Sequence, residues 1–286
     1  MGCKIHCKYC AQNKLVKRYM QNSSSQITEL NFETFKKCLD KIPQTVRIDF
    51  SGMAEPWHNK ECTEMLLYAA KKNHEIAVYT TLSGMTREDF NRIKHIHFAK
   101  FEIHLSDAAG NCKIEITQDY LDLLNTIVKV SPSHIRDAIH FTCNGPLHPK
   151  LAEIVTLTPD NTYNEVDNRA GNLEHPELEH RFRKDSLQCK SAERFLNHNV
   201  LLPDGTVLLC SMDYNMDHIL GNLIDDAYED LFTSKEALKI LKAFDDDTIP
   251  LLCRKCYNAG ICSRAKKPWK YFGSIKGFLG INKFFR

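Results

Sequence analysis

The 286-residue chain has no apolar run approaching the roughly 20 residues that cross a bilayer. Its first ten residues, MGCKIHCKYC, are polar and lack the apolar centre of a secretion signal. Internal repeats and low-complexity segments are also missing. These absences argue against an integral membrane protein, a solenoid and an export precursor, and the expectation is a soluble, cytoplasmic protein. A more local absence concerns charge. Residues 264–286 contain no Asp or Glu, yet they hold Arg264, Lys266, Lys267, Lys270, Lys276, Lys283 and Arg286. The whole chain has a formal net charge of +2, so without those seven cations the remainder stands at −5. The basic tail is therefore an electrostatic object of its own.

What the chain does have is cysteine, twelve of them. Disulfide-rich domains are short and exported, which does not match this composition. In a reducing compartment, clustered cysteines read as metal ligands. Cys38, Cys62, Cys112 and Cys143 stand apart from the clusters and read as small buried residues.

From residue 32 to 167 short β-rich runs alternate with longer stretches of helical spacing. The runs are Val46–Phe50, Ile76–Thr80, Lys100–Leu105, Ala138–Cys143 and Tyr163–Val166. The helical stretches are Phe32–Ile42, Lys60–Lys72, Arg87–Ile96 and Gln118–Val130, with Asn31 and Thr86 as N-caps. Strands alternating with helices of this length imply βα units and a parallel sheet, hence an α/β fold. A partial or full barrel fits the strand count, and an open doubly wound sheet is the alternative. Residues 171–188 are polar and read as a linker. A hairpin follows, with Val200–Leu202 and Val207–Leu209 joined by Pro203-Asp204-Gly205. A helix is expected over about Ala227–Phe244.

Cys3-x3-Cys7-x2-Cys10 puts three thiols in eight residues. Such a loop can wrap three corners of a cubane cluster and leave one iron open, whereas a closed structural site uses all its ligands. A zinc site with His6 as fourth ligand is the other reading. The loop, with Tyr9 as its aromatic, resembles the CxxxCxΦC signature of radical S-adenosylmethionine enzymes. The resemblance implies a [4Fe-4S] cluster whose open iron binds S-adenosylmethionine. It also implies reductive cleavage to a 5′-deoxyadenosyl radical that takes hydrogen from a substrate, with Tyr9 near the adenine. Gly52-Met53-Ala54-Glu55-Pro56, at the end of a strand run, is similar to the family's GGEP element. Met53-Ala54 stands in place of the glycine pair, and Gly52, Ala54 and Glu55 are the implied cofactor contacts. Ser106 and Arg169 occupy positions that resemble two further cofactor-contacting sites. The implied fold is a partial (β/α)6 TIM-like barrel over residues 1–170. In the family a strand precedes the cysteine loop, and here only two residues precede Cys3. The expectation is either further sequence upstream of Met1 or a barrel that closes differently.

A second group comprises Cys189, Cys210, Cys253, Cys256 and Cys262. Two distant thiols plus a Cys-x2-Cys pair make a four-thiolate site, and the spacing alone does not separate zinc from iron–sulfur. The string Leu202–Cys210 and Leu220-Gly-Asn-Leu223 resemble the SPASM/twitch extension of the same enzymes. That implies a small cysteine-rich α+β domain over 189–262 and one auxiliary [4Fe-4S] cluster on Cys189, Cys210, Cys253 and Cys256, with Cys262 a competing ligand or a bystander.

An auxiliary cluster suits oxidation of an alcohol or thiol, which also needs a base. Asp213 is the candidate by its position after Cys210. Glu102 and His104 alternate along one strand, share a face, and line the active site if that face is the lumen. The expected substrate is a small molecule such as a sugar or alcohol, with a peptide or protein as the alternative. A non-enzymatic, zinc-stabilised binding protein is the reading from another class. Expected partners are an electron donor such as flavodoxin or ferredoxin. Through the aromatic-basic tail 264–286, they also include an anionic membrane surface or an acidic partner.

Overall fold

The computed structural model describes residues 1–22, 27–162, 167–173, 182–190, 196 and 198–261. The first layer is a parallel sheet of β1 (Ile48–Phe50), β2 (Ile76–Thr80), β3 (Lys100–Leu105) and β4 (Ile139–Cys143), in the order β1-β2-β3-β4. Each crossover carries helix. The first helices are α1 (Gln12–Asn22), α2 (Phe32–Leu39) and α3 (Cys62–Lys71). Next come α4 (Arg87–Ile93), α5 (Gln118–Val130) and the single turns α6 (Ser133–Arg136) and α7 (Pro149–Ala152). Strands neighbour one another in chain order, without the reversal that a doubly wound sheet needs. The sheet is therefore barrel-like. A parallel bridge from Cys143 to Thr162 carries the pairing towards the fifth expected strand, 163–166, which lies outside the described residues.

The two faces of the sheet differ sharply. Phe50, Val78, Phe101, Ile103 and Leu105 are buried in one core with Phe35 and Leu39 of α2, Leu66 of α3, Phe90 of α4 and Leu124 of α5. The other face carries Asp49, Tyr79, Lys100, Glu102, His104, His140 and Thr142. The register confirms that they are neighbours: Tyr79 pairs Glu102, Glu102 pairs His140, and His104 pairs Thr142. The face opposite the helices is thus a polar lumen.

The helix starts follow local chemistry. Asn31 Oδ1 accepts from Thr34 N at 2.8 Å. Thr86 and Asp89 form a reciprocal capping box. Helix α1 was not expected from sequence. Its strand QNKLVKRYMQN is largely polar, and it buries only Gln12, Leu15 and Tyr19. The Leu15–Tyr19 spacing of four was the available signal.

The C-terminal part contains β5 (Leu187–Cys189) paired antiparallel to β9 (Ala259–Ile261). It also holds the three-stranded meander β6 (Val200–Leu201), β7 (Thr206–Leu208) and β8 (Ile219–Asn222). The hairpin turn is as expected, with Gly205 at φ +82°. The long helix expected over Ala227–Phe244 is instead a 3-10 turn, Glu229–Phe232, followed by α8 (Lys235–Ala243). Ser234 breaks it: the residue is extended, donates Oγ–H to Leu231 O at 3.1 Å and accepts from Ala237 N at 3.2 Å.

The stretch read as a linker is held at its described ends. Buried Arg254 donates to the carbonyls of Arg183, Lys184 and Asp185, and to Ala243 O at 2.5 Å. Leu187 pairs with Ile261. The two parts also share cores. Cys38 of α2 packs with Leu223, Phe232 and Ile240. Ala11, Leu15, Tyr19 and Met53 pack with Leu202, Leu208, Tyr214 and Met216. Lys41 Nζ donates to Ile224 O and Asp226 O at 3.0 and 2.8 Å. Among the described residues, no helix is long and apolar enough to cross a membrane. The tail 263–286 lies outside them.

Replacing Arg254 by Leu removes donors from buried carbonyls and is expected to destabilise the protein by on the order of 3 kcal/mol. Hydrogen exchange should rise first over 182–189. An exchange pattern unchanged there would show that the guanidinium does not hold this segment.

Candidate functional site

The cysteine loop sits at the C-terminal end of the parallel strands, where side chains of several strands meet. Four tethers fix it. Gln12, the first residue of α1, accepts from Cys3 N and donates to Cys3 O at 2.8 Å. Lys8 N donates to Asn111 O at 2.9 Å. Arg169 Nε donates to Tyr9 O at 3.0 Å. Tyr9 OH meets His104 Nε2 at 2.7 Å, and His104 Nδ1 meets Thr142 Oγ1 at 3.0 Å. Burial pushes the His104 pKa down.

The three thiols differ electrostatically. Cys3 is pushed up by burial, with the Glu55 carboxylate a smaller contributor. Cys7 is drawn down to about 7, first by the Cys112 thiol at 3.6 Å. Tyr9 and the Arg169 guanidinium pull in the same direction. Cys10 Sγ lies 3.9 Å from the Tyr214 hydroxyl, which comes from the C-terminal part. His6 is exposed and has φ +52°. Among the described residues no three His, Cys, Asp or Glu side chains converge to hold a single metal ion. Zinc needs such convergence, with every ligand near 2 Å from one point. A cluster spreads its thiolates around a body of several irons, and the three-thiol loop fits that group.

Glu55 is buried and almost fully committed. Thr80 Oγ1 donates to Oε1 at 2.5 Å, and Thr81 N and Oγ1 each donate to Oε2 at 2.7 Å. Burial nevertheless pushes its pKa up. The carboxylate pins the 52–57 segment to the end of β2, while Gly52 and Ala54 stay exposed beside it. Ser106 donates to Cys112 O at 2.7 Å. Its hydroxyl therefore serves the 107–112 loop. Glu102 pairs with Lys100 Nζ at 2.6 Å on the lumen face. His104 and Glu102 thus share the expected face, and His104 meets the cysteine loop through Tyr9.

The second group also assembles. Cys253 is pushed well above the usual thiol range by burial and then by Cys256, Cys210 and Cys189. Cys256 is raised to about 11 by burial, with Cys210 and Cys189 contributing. Cys189, Cys210 and Cys256 thus lie near enough to Cys253 to act on its charge. Cys262 lies outside the described residues. Asp213 stands beside this group and is fully buried. Its two oxygens accept from Asp217 N and His218 N at 2.8 and 2.9 Å. The carboxylate closes the loop after Cys210, and burial pushes its pKa up. Each oxygen thus accepts one backbone donor, and the side chain has no exposure to solvent.

The two groups are joined by the Asn168–Asn172 turn. Arg169 and Ala170 are left-handed, at φ +50° and +54°, a strained geometry for residues with a Cβ. Gly171, at φ +79°, leaves no room for a Cβ, which would approach Lys255 Cδ at 2.9 Å. From this turn Arg169 reaches Tyr9 O, Asn172 Nδ2 reaches Met212 O at 2.8 Å, and Asn168 Nδ2 reaches Lys255 O at 3.2 Å. Gln12, Asn172, Tyr214 and Cys112 were not expected as site residues. Their side chains act on backbone or on a thiol distant in sequence, so no local motif marks them.

Residues 189–257 match the family model SPASM, described as an iron–sulfur cluster-binding domain. A sequence search finds no match among curated proteins. Solved structures do match in fold. The crystal structure of BtrN in complex with AdoMet and 2-DOIA is 15% identical, covers 90% of this chain and 89% of its own, and has a TM-score of 0.58. BtrN in an open conformation gives 14%, 90%, 88% and 0.53. The shared fold spans both parts of the chain.

Exchanging Cys189, Cys210, Cys253 or Cys256 singly for Ala should lower the iron content of anaerobically reconstituted protein by about half, leaving the first loop loaded. Iron content that stays full in all four variants would rule out the shared site.

Proposed function

We propose that this protein is a radical S-adenosylmethionine enzyme that oxidises or rearranges a small, polar, hydroxylated molecule. The observation that carries the reading is the cysteine loop itself. It has three thiols, no fourth cysteine in the loop, and an aromatic, Tyr9, locked to the lumen by His104. When bound there, a [4Fe-4S] cluster supplies the electron that cleaves S-adenosylmethionine to the hydrogen-abstracting radical. The SPASM segment and a fold shared with a protein solved with AdoMet support the same reading.

In this reading the chain's own residues divide the work. Cys3, Cys7 and Cys10 hold the cluster. Glu55 is committed to Thr80 and Thr81, so it acts by presenting the backbone of Gly52–Ala54 to the cofactor amino group. Backbone contacts tolerate Met53-Ala54 where a glycine pair is usual. Arg169 spends Nε on Tyr9 O and offers its remaining guanidinium donors to the cofactor carboxylate. His104 positions the Tyr9 ring. The four thiols of the SPASM segment would hold an auxiliary cluster, which would supply an electron acceptor for the oxidation, with a flavodoxin- or ferredoxin-like protein as the external carrier.

The lumen supports the substrate class. Arg47 pairs with Asp49 at 2.7 Å and Lys100 with Glu102 at 2.6 Å, so the charges on this face balance. Tyr79, His104, His140 and Thr142 add neutral donors and acceptors. Such a face matches a molecule with several hydroxyls and little net charge better than a strongly charged one.

Anaerobic incubation with S-adenosylmethionine and a reductant should yield 5′-deoxyadenosine, and replacing Cys3, Cys7 and Cys10 together by Ala should abolish it. Product formation by the triple variant would sink the proposal. His104→Ala should weaken S-adenosylmethionine binding by about tenfold, roughly 1.4 kcal/mol, with the iron content unchanged. Equal affinity in that variant would remove His104 from the positioning of Tyr9.

A further inference from the structure

Cys112 was expected to be an ordinary buried cysteine, and it is fully buried. Its sulfur, however, lies 3.6 Å from that of Cys7. The contact is built into the backbone. Lys8 N donates to Asn111 O at 2.9 Å, which sets the two loops side by side one residue from each cysteine. The 107–112 loop is rigid around its sulfur. Asp107 Oδ2 accepts from Cys112 N at 2.8 Å, Asp107 Oδ1 accepts from Asn111 N at 3.0 Å, and Ser106 Oγ donates to Cys112 O at 2.7 Å. A disulfide needs a sulfur separation of about 2.05 Å. At 3.6 Å the two sulfurs are already in van der Waals contact.

We propose that Cys7 and Cys112 form a reversible disulfide site, used when the loop carries no iron and the protein meets hydrogen peroxide. The two thiols lose two protons and two electrons, one S–S bond forms, the peroxide O–O bond breaks, and two waters leave. The cystine occupies a cluster ligand and so blocks reloading until a thiol reductant opens it by exchange. It also keeps Cys7 off the irreversible sulfinic and sulfonic steps, which an isolated thiol reaches under continued oxidation. Residue 112 therefore guards the ligand set without belonging to it.

The test is a thiol map of the full-length chain. Protein freed of iron with a chelator is treated with one equivalent of hydrogen peroxide, alkylated, digested without reduction and analysed by mass spectrometry. The expected result is a peptide pair joining Cys7 to Cys112, with Cys3 and Cys10 alkylated. The pair should be missing from iron-loaded protein treated in the same way. Reduction should restore iron uptake to the untreated level. In Cys112→Ser treated with three or more equivalents of peroxide, Cys7 should appear as sulfinic or sulfonic acid, and iron uptake after reduction should fall several-fold. Cys7 joined to Cys3 or Cys10, or Cys7 and Cys112 both alkylated after peroxide, would overturn the proposal. The wild-type map decides this even if the buried Ser is poorly tolerated. It needs no S-adenosylmethionine, so it stands apart from the outcome of the cleavage assay.

Discussion

The strained turn at Asn168–Asn172 is the point on which the two cysteine groups depend. Three side chains leave five consecutive residues and end on carbonyls of three different segments: the first cysteine loop, the loop after Cys210, and the residue between Cys253 and Cys256. A relaxed turn would aim these donors elsewhere. The left-handed backbone at Arg169 and Ala170 costs about 1–3 kcal/mol per residue, and the surrounding contacts hold it. The turn thereby fixes the spacing between the two cysteine groups.

Around that turn, charged and polar side chains serve backbone more often than each other. Gln12 closes the ends of Cys3, Asp107 gathers the loop that carries Cys112, Asp213 ties the loop after Cys210, and Arg254 collects carbonyls from the segment leading to Cys189. Each ligand loop is irregular and would otherwise bury unpaired backbone groups. Glu55 does the same for the 52–57 segment. A carboxylate so fully engaged orders the chain around it.

The sequence made the periodic features readable. β2, β3 and α5 lie where the apolar patterns placed them, because each buries a face whose period is two or about 3.6. Asn31 and Thr86 cap as expected since capping is a local interaction. The two cysteine groups stood out because their spacing is written along the chain. Other features had no such signature. Helix α1 is polar except for a narrow stripe and owes its place to a core made with residues 202–216. The break at Ser234 depends on a side chain competing with the helix ladder. The two backbone donors that tie Asp213 into the loop after Cys210 had no sequence signature either. Cys112 looked solitary because its partner is 105 residues away.

That shared core of α1 with the meander has a consequence for how the chain is made. Ala11, Leu15 and Tyr19 emerge from the ribosome almost two hundred residues before Leu202, Leu208 and Tyr214, the groups that cover them. Contacts of such long range close late, after the loop entropy between them has been overcome. During synthesis the parallel sheet can assemble while the helix behind Cys10 still lacks its cover. The helix behind the cysteine loop therefore stays uncovered through most of translation, until the C-terminal part packs against it.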